Sequence, residues 1–297
     1  MITAKNYAAQ AERGLMRLKS ETFHDVFVDK IKDAVHFAIP DGGKVFDDKL
    51  RGLQGSDIRL PYPLITVEYF VRWGGDGGAL KIVTLCREQT VKEWTQRNPE
   101  QVVAASMRGA SFVGPDTDYQ EDALVLIITA AAKGPGQWMP IPLGVCIPVS
   151  VGRHKVHMYY FYAYPEALET NAKDSEWTSR SPIGHVSLCV AELCEALSCK
   201  NVQAMPMPHI DSKKNAMRIK QGKSPIYETK VLVIDSKHGE HDGARSESDE
   251  NRSGPRQHLR RGHIRRLPPD HTTKIWVNSC VVGSSQDGRI DKSYAVL

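Results

Sequence analysis

Three features of the sequence predict an α+β fold. Helical periodicity occupies the first forty residues, a series of β-branched and aromatic runs follows between Gly/Pro turns, and a short cationic segment lies near the C-terminus. The expected architecture is an N-terminal helical pair packed on a mostly antiparallel sheet, with a C-terminal basic β appendage.

Tyr7, Ala11, Leu15 and Leu18 recur at helical spacing, and so do Phe23, Phe27, Ile31 and Val35, so two helices are expected before the stop at Ile39-Pro40-Asp41-Gly42-Gly43. Leu64 to Arg72 is rich in β-branched and aromatic residues, and a glycine-rich turn at 74–78 leads to a returning strand over Leu80 to Leu85, a hairpin. Val91 to Met107 is expected to be helical around Val102-Val103-Ala104-Ala105. Ala123 to Thr129 is apolar at successive positions, the pattern of a central strand covered on both faces. The turn at Lys133-Gly134-Pro135-Gly136 then leads to strands over Leu143 to Ser150 and Val156 to Tyr164, completing an antiparallel meander.

Val186, Cys189, Val190, Leu193 and Leu197 mark an amphipathic helix. Cys189, Cys194 and Cys199 are spaced five residues apart, about 140° round the helix at each step, so they share no face and read as small apolar packers. Asp211 to Lys220 reads as a short basic helix, and Ile226 to Asp235 as a strand. Residues 237–254 are polar and nearly devoid of apolar side chains, the composition of a mobile loop. Lys274 to Val282 is expected to be one more strand. The chain therefore divides into an α+β body over 1–236, a loop over 237–254 and a basic module over 255–297.

Composition bounds the rest. A chain of 297 residues with 41% apolar content can bury a core, and its formal charge of +4 is mild, so charge matters where it clusters. None of the six cysteines forms a CxxC pair, which suits reduced thiols in a cytoplasmic protein. No apolar run is long enough for a signal peptide or a membrane span, so no membrane partner is expected.

The cluster lies between His258 and Arg266, where four arginines and two histidines fall in nine residues with no acid among them. Burying unpaired cations is costly, so the segment reads as a surface that meets an anion, and nucleic acid is the commonest large anion in a cell. Arg256, Arg260, Arg261, Arg265 and Arg266, together with Arg252, offer planar bidentate donors to phosphate, and Trp276 offers a stacking surface for an unpaired base. An acidic protein face is the alternative partner. His258 and His263 suit general base and acid in metal-independent cleavage of RNA, with arginine stabilising the charge on phosphorus. Their H-x4-H spacing also matches half of some zinc sites, but no CxxC precedes it and Cys280 alone does not complete the set, so no metal or cofactor is expected. Glu228 and Lys230 would share a strand face, as acid–x–lysine pairs do in magnesium nucleases, although a solvated face is the simpler reading.

The segment Arg256-Gln257-His258-Leu259-Arg260-Arg261-Gly262-His263-Ile264-Arg265, followed by Lys274-Ile275-Trp276-Val277, resembles the C-terminal signature of a family of phage and mobile-element proteins, one branch of which is the type V-A anti-CRISPR that lowers expression of the type V effector nuclease. The basic stretch from Lys213 to Tyr227 and the strand opening Leu60-Pro61-Tyr62-Pro63 are similar as well; Ile264-Arg265 departs from the aromatic residue frequent there. The resemblance covers roughly the last ninety residues. It implies a counter-defence regulator in the host cytoplasm that recognises a nascent or folded host polypeptide and contacts RNA or a ribosome-associated message. A histidine-dependent ribonuclease and a protein-binding inhibitor without nucleic-acid contact are the alternatives.

Overall fold

The computed structural model describes residues 6–45, 58–73, 78–90, 92–93, 123–133, 137–141, 143–148, 159–162, 183–207, 212–223, 225–235, 256–260, 263–269, 271–277, 280–282 and 284–289. The fold is α+β, with four helices among the described residues and a mixed, mostly antiparallel sheet. The chain forms two compact units: Met1–Glu195 with Ala204–Leu232, and Ala196–Gln203 with Val233–Leu297. The expected helix over Val91 to Met107 and the loop at 237–254 lie outside the described residues, apart from a helical pair at 92–93.

Helix α1 is Tyr7–Leu15. Helix α2 is continuous over 21–31 but changes winding, from α-helical Glu21–Phe23 through π-helical His24–Val28 to α-helical Asp29–Ile31. Ser20 caps it by accepting the Phe23 N–H at 3.2 Å. Phe23 and Phe27 stack with ring centroids 5.0 Å apart, and both are fully buried along with Ile31. Helix α3 is Ile183–Leu197, and helix α4 is Ser212–Lys220.

The helical periodicity that reaches Val35 in the sequence is cut short in the fold. Turns at Asp33 and Ala34 close the helix, and Val35–Ala38 forms strand β1. The interval from Ile31 to Val35 fits a helix, but a β-branched residue followed by His-Phe-Ala fits a buried strand equally well, and the sheet decides between them. Strand β1 lies parallel to β2 (Leu64–Trp73) on one side and to β9 (Thr229–Ile234) on the other. The sheet is therefore parallel at this strand and antiparallel through the meander, in agreement with the mostly antiparallel sheet expected.

The meander itself is present. β2 pairs antiparallel with β3 (Gly78–Thr90) and β3 with β4 (Ala123–Lys133). β4 then pairs with both β5 (Gln137–Pro140) and β6 (Leu143–Pro148), and β6 pairs with β7 (Tyr159–Tyr162). Strand β8 (Val202–Pro206) completes the order β7-β6-β4-β3-β2-β1-β9-β8, with β5 beside β4. Every residue from Val125 to Ala132 is buried, as its two-sided apolar pattern requires.

Strand alternation gives the sheet two different faces. His36, Thr66, Glu68, Val83 and Leu85 point to the side of α1 and α2, where Ala8, Ala11, Leu15, Phe23, Phe27 and Ile31 pack. The Glu68 carboxylate is buried there and accepts the Ala8 N–H at 3.0 Å, which ties the first turn of α1 to the sheet. The opposite face carries Phe37, Ile65, Val67, Tyr69 and Cys86, and α3 contributes His185, Cys189 and Cys194 to that side. Cys86, Cys189, Cys194 and Cys199 are buried thiols outside any disulfide, in keeping with a packing role. Burial pushes the Cys194 thiol up to about 12, with the Glu88 and Glu195 charges adding to it, so it is inert near neutrality. Among the described residues no helix is long and apolar enough to cross a membrane.

Candidate nucleic-acid interface

The arginine segment is built from β strands. Arg256–Arg260 forms β10, which lies between β13 (Cys280–Val282) and β14 (Ser284–Arg289) in a three-stranded sheet. His263–Arg266 forms β11, which pairs antiparallel with β12 (Lys274–Val277) in a separate two-stranded sheet. The single strand expected over Lys274 to Val282 is therefore two short strands in different sheets. Asn278 and Ser279, between them in sequence, fall outside the described residues.

The β11–β12 hairpin carries the best-defined part of the site. Its register sets Ile264 opposite Trp276, Arg265 opposite Ile275, and Arg266 opposite Lys274. Arg265 and Arg266 are exposed and Ile275 is buried. The hairpin closes through 267–273, where the Leu267 N–H donates to the Thr273 carbonyl at 2.8 Å and His271 adopts a left-handed conformation with φ 57°. The Arg266 guanidinium reaches back to the His271 carbonyl at 3.4 Å, and the Lys274 ammonium lies 3.4 Å from the Ser198 hydroxyl. Two cations directly opposite each other on a strand pair repel, and a shared anion turns that repulsion into attraction.

Sequence reading missed the residue that holds this hairpin in place. Asn201 is buried, and its side chain both accepts the Trp276 N–H and donates to the Trp276 carbonyl, each at 2.7 Å. The amide thus acts as a further strand residue along β12. The neighbouring Lys200 N–H donates to the Lys274 carbonyl at 2.8 Å, and the Asp235 N–H to the Asn201 carbonyl at 2.8 Å. An asparagine in a short connection carries no sequence signal for this role, since its partners lie 75 residues away. Replacing Asn201 with Ala leaves two backbone groups of Trp276 without that partner, a local loss of about 1–3 kcal/mol. The expected readout is roughly five- to hundredfold faster hydrogen exchange at the Trp276 amide. Unchanged exchange would show that the clamp does not order the strand.

The other expected site residues are less fully placed. The backbones of Arg256, His258 and Arg260 lie in β10 and that of His263 in β11, while their side chains and all of Arg261 lie outside the described residues. The two histidines are thus on strands of different sheets. Trp276 is half-buried, with its backbone held by Asn201. The Cys280 side chain, the third member of the zinc idea, is likewise outside the described residues, and among the described residues no group of His, Cys, Asp or Glu is arranged to hold a metal. Glu228 precedes β9 and is exposed, while Lys230 within β9 lies over the Tyr62 ring at 5.8 Å, so the acid–x–lysine pair does not share a strand.

Taken as a class, the molecule is an α+β protein whose second unit presents arginine and lysine from a two-stranded hairpin. No protein-family model, curated protein or solved structure matches the chain.

Proposed function

We propose that the protein is a counter-defence regulator encoded by a phage or mobile element, which contacts RNA through the β11–β12 hairpin and suppresses expression of a host immune protein. The observation that carries the RNA contact is the register of Arg266 against Lys274, with exposed Arg265 beside them. Arg266 and Lys274 share one face of the hairpin and suit one phosphate, Arg265 stands exposed on the other face, and arginine matches phosphate with paired donors. The counter-defence part rests on the resemblance of the C-terminal segment to phage and mobile-element proteins. On this reading a nascent or folded host polypeptide is the second partner, and strand addition to a sheet edge is the mode of capture.

The reading is tested by titrating purified protein with labelled single-stranded RNA over a range of salt, with EDTA present. The expected result is tight, salt-sensitive binding. In the Arg265→Ala/Arg266→Ala variant the slope of log affinity against log salt falls by about 1.4, with two phosphate contacts removed. EDTA-resistant cleavage that disappears in His263→Ala would replace this reading with that of a histidine ribonuclease. Absence of both binding and cleavage would overturn the RNA contact and leave a protein-binding inhibitor.

A further inference from the structure

The first unit contains a second cationic element that the arginine segment does not explain. Helix α4 and its exit, residues 212–223, carry Lys213, Lys214, Arg218, Lys220 and Lys223 and no acid. None of the nine residues of α4 is buried. A helix this short is marginal in water and ordinarily depends on an apolar face. This one is held by polar devices at its two ends. The Asn215 side chain brackets Ile226, accepting its N–H at 2.8 Å and donating to its carbonyl at 2.9 Å. At the C-terminus Gly222, with φ +67°, closes a Schellman motif in which the Gly222 N–H donates to the Ile219 carbonyl and the Lys223 N–H to the Arg218 carbonyl, both at 2.9 Å.

Arg218 and Lys220 in the last turn complement the helix dipole, but Lys213 and Lys214 stand in the first turn, where the dipole disfavours cations. Lys214 and Arg218 are four residues apart, a repulsive spacing on a helix. Asn215 and Arg218 are the two half-buried positions, so the opposite, outward stripe is Lys213, Ala216, Met217 and Lys220. Its two lysines are about 10.5 Å apart along the axis, at either end of a small apolar step. Met217, 61% exposed, and Ile219, 60% exposed, are too few, and lack an aromatic companion, for a helix that beds into lipid.

We propose that α4 is a second nucleic-acid contact, in which Lys213 and Lys220 hold phosphates of one backbone and Lys214 and Lys223 flank it. The occupant is a polyanion, selected by charge complementarity. This deepens the reading of the protein as a nucleic-acid binder and rests on it. RNA and DNA share the phosphate chemistry, and the test separates them.

The experiment uses the full chain in three forms: unaltered, Lys213→Ala/Lys220→Ala, and Arg265→Ala/Arg266→Ala. Each is titrated with a single-stranded RNA, an RNA duplex and a DNA duplex of equal length, at several salt concentrations. The altered lysines are exposed, so the thermal midpoint of the lysine variant should match that of the unaltered chain. On duplexes the lysine variant should lose affinity on the order of tenfold, and its salt slope should fall by about 1.8 on DNA. Loss on RNA alone assigns the helix to RNA, and equal loss on both duplexes assigns it to the phosphate backbone at large. If the lysine variant binds every substrate like the unaltered chain while the arginine variant is weakened, the α4 proposal is overturned and the hairpin reading stands. If only the lysine variant is weakened, the reverse holds.

Discussion

Gly43→Ala is expected to destabilise the first unit by about 2–5 kcal/mol. Gly43 has φ +63°, a left-handed backbone that an alanine adopts at a cost of about 1–2 kcal/mol. Its missing Cβ would lie 2.6 Å from the Tyr69 ring, 2.7 Å from His185 and 2.8 Å from the Cys189 sulfur. None of the three can retreat easily. Tyr69 is fully buried with its hydroxyl 3.4 Å from His185 Nδ1, and the Cys189 thiol donates to the Gly43 carbonyl itself at 2.6 Å. Overpacking of this kind adds about 1–3 kcal/mol. Gly42 is the internal control, since its φ is +88° but nothing lies within 4 Å of the place its Cβ would take. Denaturant midpoints should therefore show Gly43→Ala clearly worse than Gly42→Ala. Equal effects would mean that backbone conformation alone matters and that the contact among β2, the turn and α3 gives way freely.

The second large effect is one of pH. His36 is 3% exposed, its Nδ1 lies 2.6 Å from the Thr66 hydroxyl, and the Tyr227 ring stacks on it at 4.4 Å. Burial lowers its pKa from 6.5 to about 4. The folded protein thus holds this imidazole neutral over a range in which the unfolded chain protonates it. The unfolded state binds the extra proton, so the stabilisation is complete above about pH 6.5 and is lost as pH falls toward 4. The loss amounts to about 2.5 kcal/mol by pH 4.5. His36→Gln keeps a hydrogen-bonding group for Thr66 but does not titrate there. The difference in unfolding free energy between the two proteins should narrow by that amount from pH 7 to pH 4.5. A constant difference would show that His36 is already protonated in the fold. The neighbouring Tyr227 hydroxyl, which donates to Glu12 at 2.8 Å, is raised by burial and then by that carboxylate, so it stays protonated throughout this range.

What could be read from the sequence depended on how far each signal reached along the chain. The long strands β2, β3 and β4 declared themselves by composition, and α3 by the spacing of Val186, Val190, Leu193 and Leu197, because burial on a regular element leaves a regular pattern. Strand β1 was hidden because Phe23, Phe27, Ile31 and Val35 satisfy helical spacing up to the residue where the strand begins. Its partners in β9 lie far along the chain, and no local pattern reports a parallel pairing of that kind. The arginine cluster was plain from charge alone. The Asn201 clamp was not, since an amide that imitates a strand is visible only once the strand it imitates stands beside it.

The position of β1 also bears on how the protein is made. His36 pairs with Thr229, roughly two hundred residues later, so the order of the sheet differs from the order of synthesis. While the ribosome is still building the chain, β1 can line up with β2 but waits, one side open, until β9 emerges. A shortened gene product ending before β9 would therefore not be a trimmed protein with a finished core. It would keep β1 as an exposed edge, paired on one side only, the kind of edge that recruits other chains.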